Sequence, residues 1–195
     1  MISNLVSSKD KSASLAGHLL VATHAVDDSC FERSVIYMCA HNEEGAMGVI
    51  INAPVAEVDI EDIFDQLKIS HDDHARHLPI HFGGPVEAHR GFVLHSAEEA
   101  ASDSIVCQDG IAVTANIAIL QDLAAGKGPA QSMLVLGYAG WSPGQLESEI
   151  EQGSWLIVPA NKTLVFDTQN ETKHATALSA LGIDMGHLSS TVGHA

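Results

Sequence analysis

The sequence is short of basic residues, and this shortage excludes several classes of partner. Nine lysines and arginines stand against 25 aspartates and glutamates, so the 195-residue chain has a formal net charge of −16. Such an excess of negative charge repels nucleic acid and anionic membranes. We therefore expect neither direct nucleic-acid binding nor a membrane partner. The plainer role of the acidic residues is to keep the protein in solution.

Long hydrophobic runs and paired cysteines are also lacking. No stretch approaches the roughly 20 apolar residues that span a bilayer. The apolar run at 15–22 contains His18 and follows no basic region, so it does not predict a signal peptide. The three cysteines, Cys30, Cys39 and Cys107, cannot all pair with one another, and none has Cys-x-x-Cys spacing. These features favour a reducing, cytoplasmic location.

What the sequence does contain is enough apolar residues, 46% of the chain, for one substantial core. Apolar runs predict strands at 18–24, 34–40, 46–52, 78–82, 91–95, 105–107, 111–114, 132–138, 155–158 and 163–166. Helical spacing predicts helices at 60–67, 117–125, 143–152 and 172–181. The first predicted strands form hairpins, and each predicted helix lies alone between strands, which is typical of an α+β or mixed α/β fold. We predict a flexible terminus at 1–14 and a single domain at 15–195, with a mixed, partly barrel-like sheet flanked by a few helices.

The start of the third predicted helix has strong local signals. Ser142 is placed to act as its N-cap, Pro143 to occupy the first helical position, and Gln145 to complete a capping box. Leu146 and Ile150 define the inner face of this helix. The glutamates between them are therefore expected on a solvated outer face.

Two glycines and two aromatic residues precede this helix. Gly137 and Gly140 bracket Tyr138 and Trp141. Glycine lets backbone approach closely, and both aromatic side chains carry a polar tip. The combination predicts a shaped recognition surface, although it matches no catalytic motif.

A series of histidines raises the possibility of a metal site. His71, His74, His77 and His81 are three, three and four residues apart, and neighbouring aspartates offer oxygen ligands. Pro79, however, ends any helix before His81. The simpler interpretation is a polar connection between a helix and a strand, and we assign neither a metal nor a cofactor to the chain.

Another candidate site is the turn formed by Gly83, Gly84 and Pro85. Backbone N–H groups of such a turn can cradle an anion, but the turn lacks the lysine and serine or threonine of a P-loop. A tight turn that requires positive φ angles explains it as well. An unrecognised enzyme site that combines this turn with Asn52 and His95 is the alternative to a binding surface.

Several blocks of the chain together resemble the bacterial YqgE/AlgH family. In order, they are DDSCFERSV at 27–35, GAMGVIINAP at 45–54, GGPV at 83–86, GFVLH at 91–95, GYAGW at 137–141, GQLESEI at 144–150 and VGHA at 192–195. The resemblance implies a cytoplasmic single-domain α/β protein with a partly barrel-like sheet. Some relatives carry the label of a transcriptional regulator tied to alginate production. No catalytic residue or ligand comes with the family name.

The sequence therefore favours a non-enzymatic binding or regulatory module over an enzyme. No basic helix or helix-turn-helix pattern supports direct DNA contact, so any effect on transcription is expected to be indirect. The partner is an unidentified protein or small molecule. The predicted partner surface consists of Asn52, Gly83, Gly84, Pro85, His95, Gly137, Tyr138, Gly140, Trp141 and Gln145.

Overall fold

The apolar runs of the sequence form the strands of one curled sheet. The computed structural model describes residues 14–71, 78–107 and 109–182. The strands in these ranges are β1 His18–Ala22, β2 Val35–Asn42, β3 Gly45–Ile50, β4 Ile80–Phe82, β5 Val86–Ser96, β6 Ile105–Val106, β7 Ile111–Thr114, β8 Ser132–Trp141 and β9 Trp155–Pro159. Their order is β6-β7-β5-β8-β3-β2-β1-β9, and β4 lies beside β8.

The pairing of the strands is antiparallel except between β4 and β8, within the part of the chain that the structure describes. The sheet curls into a half-barrel with four helices. The predicted fold class is therefore confirmed. The predicted hairpin is also present: β2 and β3 pair antiparallel, and Asn42 lies opposite Gly45 at its closed end.

Strand β8 joins the two halves of the sheet. It pairs with β5 along one edge, where Val86 lies opposite Tyr138 and His95 opposite Ser132. Along its other edge it pairs first with β4 and then, near Trp141, with β3. Neighbours on both edges explain why the β8 sequence is almost continuously apolar. Trp141 lies at the end of β8 that is farthest from His95.

The helices lie close to their predicted positions. They are α1 Ile60–Gln66, α2 Ile117–Ala124, α3 Gln145–Glu151 and α4 Asn170–Ser179. The predicted start of α3 was wrong by two residues, because the N-cap is Gly144 with a φ of 74° and not Ser142. Half of the predicted capping box is nevertheless present, since the backbone N–H of Ser142 donates to Oε1 of Gln145 at 3.0 Å.

The predicted strand at 163–166 was also wrong. Residues Thr163–Asp167 form a short π-helical turn, whose start is stabilised by Asn161. Leu164 and Val165, both buried in this turn, pack into the same core as α4. Four consecutive apolar or β-branched residues fit a buried turn as well as a strand, so periodicity alone could not separate the two.

The sheet buries apolar side chains on both faces, as the alternation along β1 shows. Leu19 and Val21 join one core with Tyr37, whereas Leu20 joins another with Trp141. A third core lies between the sheet and helices α1 and α2. No helix in the described ranges is long and apolar enough to cross a membrane.

Candidate functional site

The glycine turn between β4 and β5 packs against the backbone of β8. The N–H of Gly83 donates to the carbonyl of Leu136 at 2.7 Å. A Cβ placed on Gly84 would lie 2.2 Å from the carbonyl carbon of Tyr138, and one on Gly137 would lie 2.3 Å from the carbonyl oxygen of Gly84. These glycines therefore permit close contact between backbone segments. The glycines Gly83, Gly84 and Gly137 are buried, while Pro85 beside them is exposed.

The two aromatic residues of β8 lie on opposite faces of the sheet. Tyr138 packs edge-on against Phe92, with ring centroids 6.0 Å apart, at the margin of the core that contains Tyr37. Trp141 lies in the core that contains Leu20. The structure thus separates Tyr138 from Trp141, because residues three apart on a strand point to opposite faces.

His95 is fully buried, and its two ring nitrogens have separate partners. Nδ1 lies 2.9 Å from the carbonyl oxygen of Ser96, which can only accept, so Nδ1 carries the proton. Nε2 then accepts from the hydroxyl of Thr114 at 2.8 Å, and Oγ1 of Thr114 lies 2.6 Å from Oγ of Ser104. Burial lowers the pKa of His95, so the neutral ring is favoured.

The hydrogen-bonded series His95, Thr114 and Ser104 ends at a small cavity, which Thr114 and Ser104 line. This cavity has a volume of about 70 Å³, well below the size of common substrate pockets. His95 lies opposite Ser132 on β8, five residues from Gly137, which corresponds to roughly 16 Å along a strand. The structure therefore does not bring His95 together with the glycine turn and Asn52 in one site.

The histidine series does not form one cluster in the described ranges. His74 and His77 lie outside the described residues. Nε2 of His71 is 3.3 Å from Asp65, and Nε2 of His81 donates to Oδ1 of Asn170 at 3.1 Å. His71 and His81 thus have separate partners on different elements.

The other predicted surface residues lead to a groove between α3 and the start of β9. Nε1 of Trp141 and Nε1 of Trp155 donate to the same oxygen, Oε2 of Glu149, at 2.9 and 2.7 Å. Oε1 of Glu149 accepts from Nε2 of Gln145 at 2.9 Å. Glu149 was expected on a solvated outer face of α3. The structure corrects that expectation, because its carboxylate is half-buried and satisfies two buried indoles.

The aromatic rings in this groove are held edge to face. Trp141 and Trp155 have centroids 6.0 Å apart and an interplanar angle of 84°, and Phe31 packs on Trp155 at 6.0 Å and 78°. The groove has a volume of about 330 Å³. We call it the tryptophan groove. Its lining residues are Ala25, Val26, Asp27, Asp28, Phe31, Gly140, Trp141, Gln145, Glu149, Gln152, Ser154 and Trp155.

All the charged residues that line the tryptophan groove are acidic. Asp27 and Asp28 are exposed at its rim, Glu149 lies in its floor, and its described lining residues include no lysine, arginine or histidine. Oδ1 of Asp28 also accepts from the N–H of Cys30 at 2.9 Å, which fixes the loop. The groove can therefore attract cations at its rim, where the partly exposed ring of Phe31 offers an aromatic surface to a planar cation.

Asn52 lies in a second concavity, which shares no lining residue with the tryptophan groove. Its Oδ1 accepts from the N–H of Val35 at 2.8 Å, and its Nδ2 donates to the carbonyl of Arg33 at 3.0 Å. The concavity has a volume of about 270 Å³, and we call it the Arg33 cleft. Its lining residues are Glu32, Arg33, Asn52, Pro54, Asn170, Glu171 and His174.

A buried lysine lies beside the Arg33 cleft. Lys173 is 1% exposed, and its Nζ donates to the carbonyls of Ile51 at 3.0 Å and Val165 at 2.7 Å. Burial lowers its pKa to about 8. Perturbed ionisable groups gather at functional sites more often than elsewhere, although buried structural groups are perturbed as well.

Sequence reasoning missed Glu149, Trp155, Arg33 and His174 as members of concave sites. Trp155 carried one usable signal, because it is the chain's second tryptophan and follows the capped helix directly. Arg33 and His174 carried none, since their proximity depends on how α4 packs against β1 and β2. That the predicted surface residues bind a partner stays a prediction.

The fold defines the class of this protein first: it is a single-domain α/β protein built on a half-barrel sheet. The family follows from comparison with known proteins. The profile of the AlgH-like family matches residues 19–186. The chain belongs to this family, and the predicted resemblance is confirmed.

Relatives match over nearly the whole chain. A UPF0301 protein of Methylobacterium sp. strain 4-46 is 48% identical over 189 residues, which cover 93% of this chain and 90% of the relative. A UPF0301 protein of Methylocella silvestris is 47% identical over 191 residues, which cover 94% and 93%. The range that the family profile matches, residues 19–186, contains the lining residues of both concave sites.

Two solved structures share the fold. The solution structure of the AlgH protein from Pseudomonas aeruginosa superposes with a TM-score of 0.78 at 35% identity, over 96% of this chain and 100% of that chain. A crystal structure of a Corynebacterium diphtheriae protein has a TM-score of 0.63 at 22% identity, over 81% and 82% of the two chains. The second shows likeness of fold alone.

Proposed function

We propose that this protein is a non-enzymatic binding module of the cytoplasm and that it acts by docking a basic segment of a partner protein in the tryptophan groove. The observation that carries the proposal is the shared acceptor: one Glu149 oxygen holds both indole N–H groups and so fixes an aromatic, acidic groove. A preorganised groove loses little conformational entropy when it binds.

Charge complementarity selects the partner's chemistry. The groove presents the exposed carboxylates of Asp27 and Asp28 and no base among its described lining residues, and the whole chain is strongly acidic. An arginine side chain can donate to these carboxylates and also stack on the partly exposed ring of Phe31, which lysine does less well. An arginine-bearing segment is therefore the occupant we propose.

The proposed location and regulatory role follow from the same features. The cysteines Cys30, Cys39 and Cys107 are free, which favours a reducing compartment. The acidic surface opposes direct contact with DNA. Any effect on gene expression would therefore pass through the partner that the groove binds.

The two tryptophans of the chain both line the groove, so intrinsic fluorescence reports on it directly. The protein is titrated with a hexa-arginine peptide and, separately, with a hexa-glutamate peptide at about 100 mM salt. We expect a saturable change in fluorescence with the arginine peptide alone. A protein that responds equally to both peptides, or to neither, contradicts the proposal.

A matched pair of variants separates the groove from the general negative charge. Asp27→Asn with Asp28→Asn removes two charges at the groove, and asparagine at 28 keeps the oxygen that accepts from Cys30. Glu57→Gln with Asp62→Asn removes two exposed charges near α1. We expect the groove variant to weaken peptide binding at least tenfold and the α1 variant to weaken it less than threefold. Equal losses would show that only net charge matters.

A further inference from the structure

The described part of the chain begins beside helix α3. Oγ of Ser14, the first described residue, donates to the carbonyl oxygen of His41 at 3.0 Å, and the N–H of Leu15 donates to Nδ1 of His41 at 3.2 Å. Since Nδ1 accepts, Nε2 carries the proton, and it donates to Oε1 of Glu147 at 2.7 Å. These bonds fix the point at which residues 1–13 join the fold.

That point lies close to the tryptophan groove. His41 is opposite Ala46 on β3, and Ala46 is opposite Trp141 on β8. Two strand spacings, about 10 Å in all, therefore separate the backbones of His41 and Trp141. Glu147 contacts His41 from one side of α3, and Glu149 contacts Trp141 from the other. A single helix, about 10 Å wide, thus lies between the two places.

Residues 1–13, which we call the N-terminal tail, lie outside the described ranges, and their sequence complements the groove. The tail contains Lys9 and Lys11 against one acid, Asp10, so its formal net charge is 2 − 1 = +1 in a chain of net charge −16. Lys11 is three residues from Ser14 and Lys9 is five, at most about 11 and 18 Å of extended chain. Both lysines can therefore reach across α3 to the groove.

The groove offers acceptors to these lysines. Asp27 and Asp28 are exposed at its rim, and none of its described lining residues is basic. Lysine binds a carboxylate and an aromatic ring together less well than arginine does, so two lysines on a separate peptide would bind weakly. Attachment to the fold compensates for this weakness, because a short tether gives the tail an effective concentration in the millimolar range.

We propose that the N-terminal tail docks in the tryptophan groove through Lys9 and Lys11 and competes there with the basic segment of the partner. The inference rests on the proposed function, since it assigns a regulator to the same groove. An arginine-bearing segment displaces the tail because its contacts with the groove are stronger. A weakly basic segment does not, so the tail sharpens the selection of the partner.

Docking of the tail is measured first without any peptide. In the 195-residue chain, Lys9→Gln with Lys11→Gln removes both lysine charges of the tail. Lys68→Gln with Lys127→Gln is the matched control, because it removes two exposed charges outside the groove. We expect the amide NMR signals of the groove residues to shift in the tail variant and to stay in place in the control. Groove signals that do not move, or that move equally in both variants, overturn the proposal.

The affinity for hexa-arginine tests the competition. We expect the tail variant to bind this peptide at least threefold more tightly than the wild-type protein, and the control variant to differ from wild type less than 1.5-fold. In a protein that carries Asp27→Asn with Asp28→Asn, the tail substitutions should change the affinity less than 1.5-fold, because the lysines have lost their acceptors. An equal gain in the tail and control variants would show that only net charge matters and would overturn the proposal.

The two measurements distinguish this inference from the function on which it rests. Equal binding of hexa-arginine by wild type and tail variant, without a shift of the groove signals, would overturn the role of the tail and leave the proposed function intact. Shifted groove signals in a protein that does not bind hexa-arginine would support docking of the tail and contradict the proposed partner.

Discussion

Trp141 and Trp155 donate their indole N–H groups to one carboxylate oxygen, Oε2 of Glu149. The two tryptophans come from strands β8 and β9, which are separated in the sheet by β3, β2 and β1. A residue of α3 therefore ties together strands that are not neighbours. Bonds to an ionised acceptor are stronger than neutral ones, and the two N–H groups would otherwise be buried without partners.

Replacement of Glu149 tests this arrangement. We expect Glu149→Gln to lower the free energy of unfolding by about 1–3 kcal/mol, because the two indole bonds lose their ionised acceptor and the new NH2 group faces another donor, Nε2 of Gln145. Glu147→Gln on the same helix removes an equal charge from an exposed side chain, and should cost less than about 1 kcal/mol. Urea unfolding followed by tryptophan fluorescence measures both, and equal costs would show that the shared acceptor has no special role.

We predict that Trp141 contributes mainly to the stability of the core and only to a lesser extent to the surface of the groove. It is 7% exposed and packs with Leu20 and Trp155. Trp141→Ala should therefore lower the free energy of unfolding by about 3–5 kcal/mol. Thermal and urea denaturation measure the loss. A change below about 1 kcal/mol would mean that the ring contributes to recognition and hardly to packing.

The glycine turn offers a test of backbone packing. Gly84→Ala places a methyl group 2.2 Å from the backbone of Tyr138, so β8 or the turn must move. We expect a loss of at least about 2 kcal/mol. Gly144→Ala is the control: its φ is 74° but nothing lies within 4 Å of the added atom, so only conformational strain of about 1 kcal/mol is expected. Equal losses would contradict the packing argument.

Acid should destabilise the fold through its buried histidines. Burial lowers the pKa of His95, and that of His81, below the usual value near 6.5. The unfolded chain then binds more protons than the folded one, so the free energy of unfolding falls as the pH drops below about 6.5. Each such histidine steepens the fall by at most about 1.4 kcal/mol per pH unit.

Urea midpoints between pH 7.5 and 5 measure this dependence. His95→Asn should reduce the slope, whereas His89→Asn, which changes an exposed histidine, should leave it unchanged. Identical slopes for the wild-type protein and His95→Asn would show that His95 does not titrate abnormally.

Lys173 should act in the alkaline range. Its pKa is lowered to about 8 in the folded protein, and an unfolded lysine titrates near 10.4. Between these values the unfolded chain binds the extra proton, so the contribution of Lys173 to the free energy of unfolding rises with pH. Relative to Lys173→Met, the wild-type protein should gain stability between pH 8 and 10.

The comparison at each pH cancels the groups that both proteins share. These include Tyr37 and Cys39, whose pKa values are raised mainly by burial and which oppose stability at high pH. A constant difference between wild type and Lys173→Met across this range would contradict the lowered pKa.

The elements of this fold could be predicted from the sequence because their signals are local. The β2–β3 hairpin has apolar strands and a turn that ends in Gly45, and α2 has helical spacing and a glycine stop at Gly126 with a φ of 68°. Local patterns cannot distinguish a strand from a helical turn where an apolar segment is short, as at Thr163–Asp167. They also misplaced the start of α3, since Gly144 is as good a boundary as Ser142.

The candidate sites could be predicted only in part. Asn52, Gly140, Trp141 and Gln145 line concave surfaces, and that they bind a partner stays a prediction. The backbone segments that contain Gly83, Gly84 and Gly137 pack against one another inside the sheet. A glycine has no Cβ, and the space this leaves can be filled by a neighbouring strand as well as by a ligand. His95 belongs to a separate hydrogen-bonded series.

The sequence alone determined the class of fold, the order of the elements and the acidic character of the chain, because periodicity, glycine positions and charge are local or additive properties. Tertiary structure decided which residues share a site. His174 meets the carbonyl of Ala22 across 152 residues because α4 packs on β1, and Phe31 meets Trp155 because β1 pairs with β9. Such contacts depend on strand order and curvature, which no local pattern in the chain specifies.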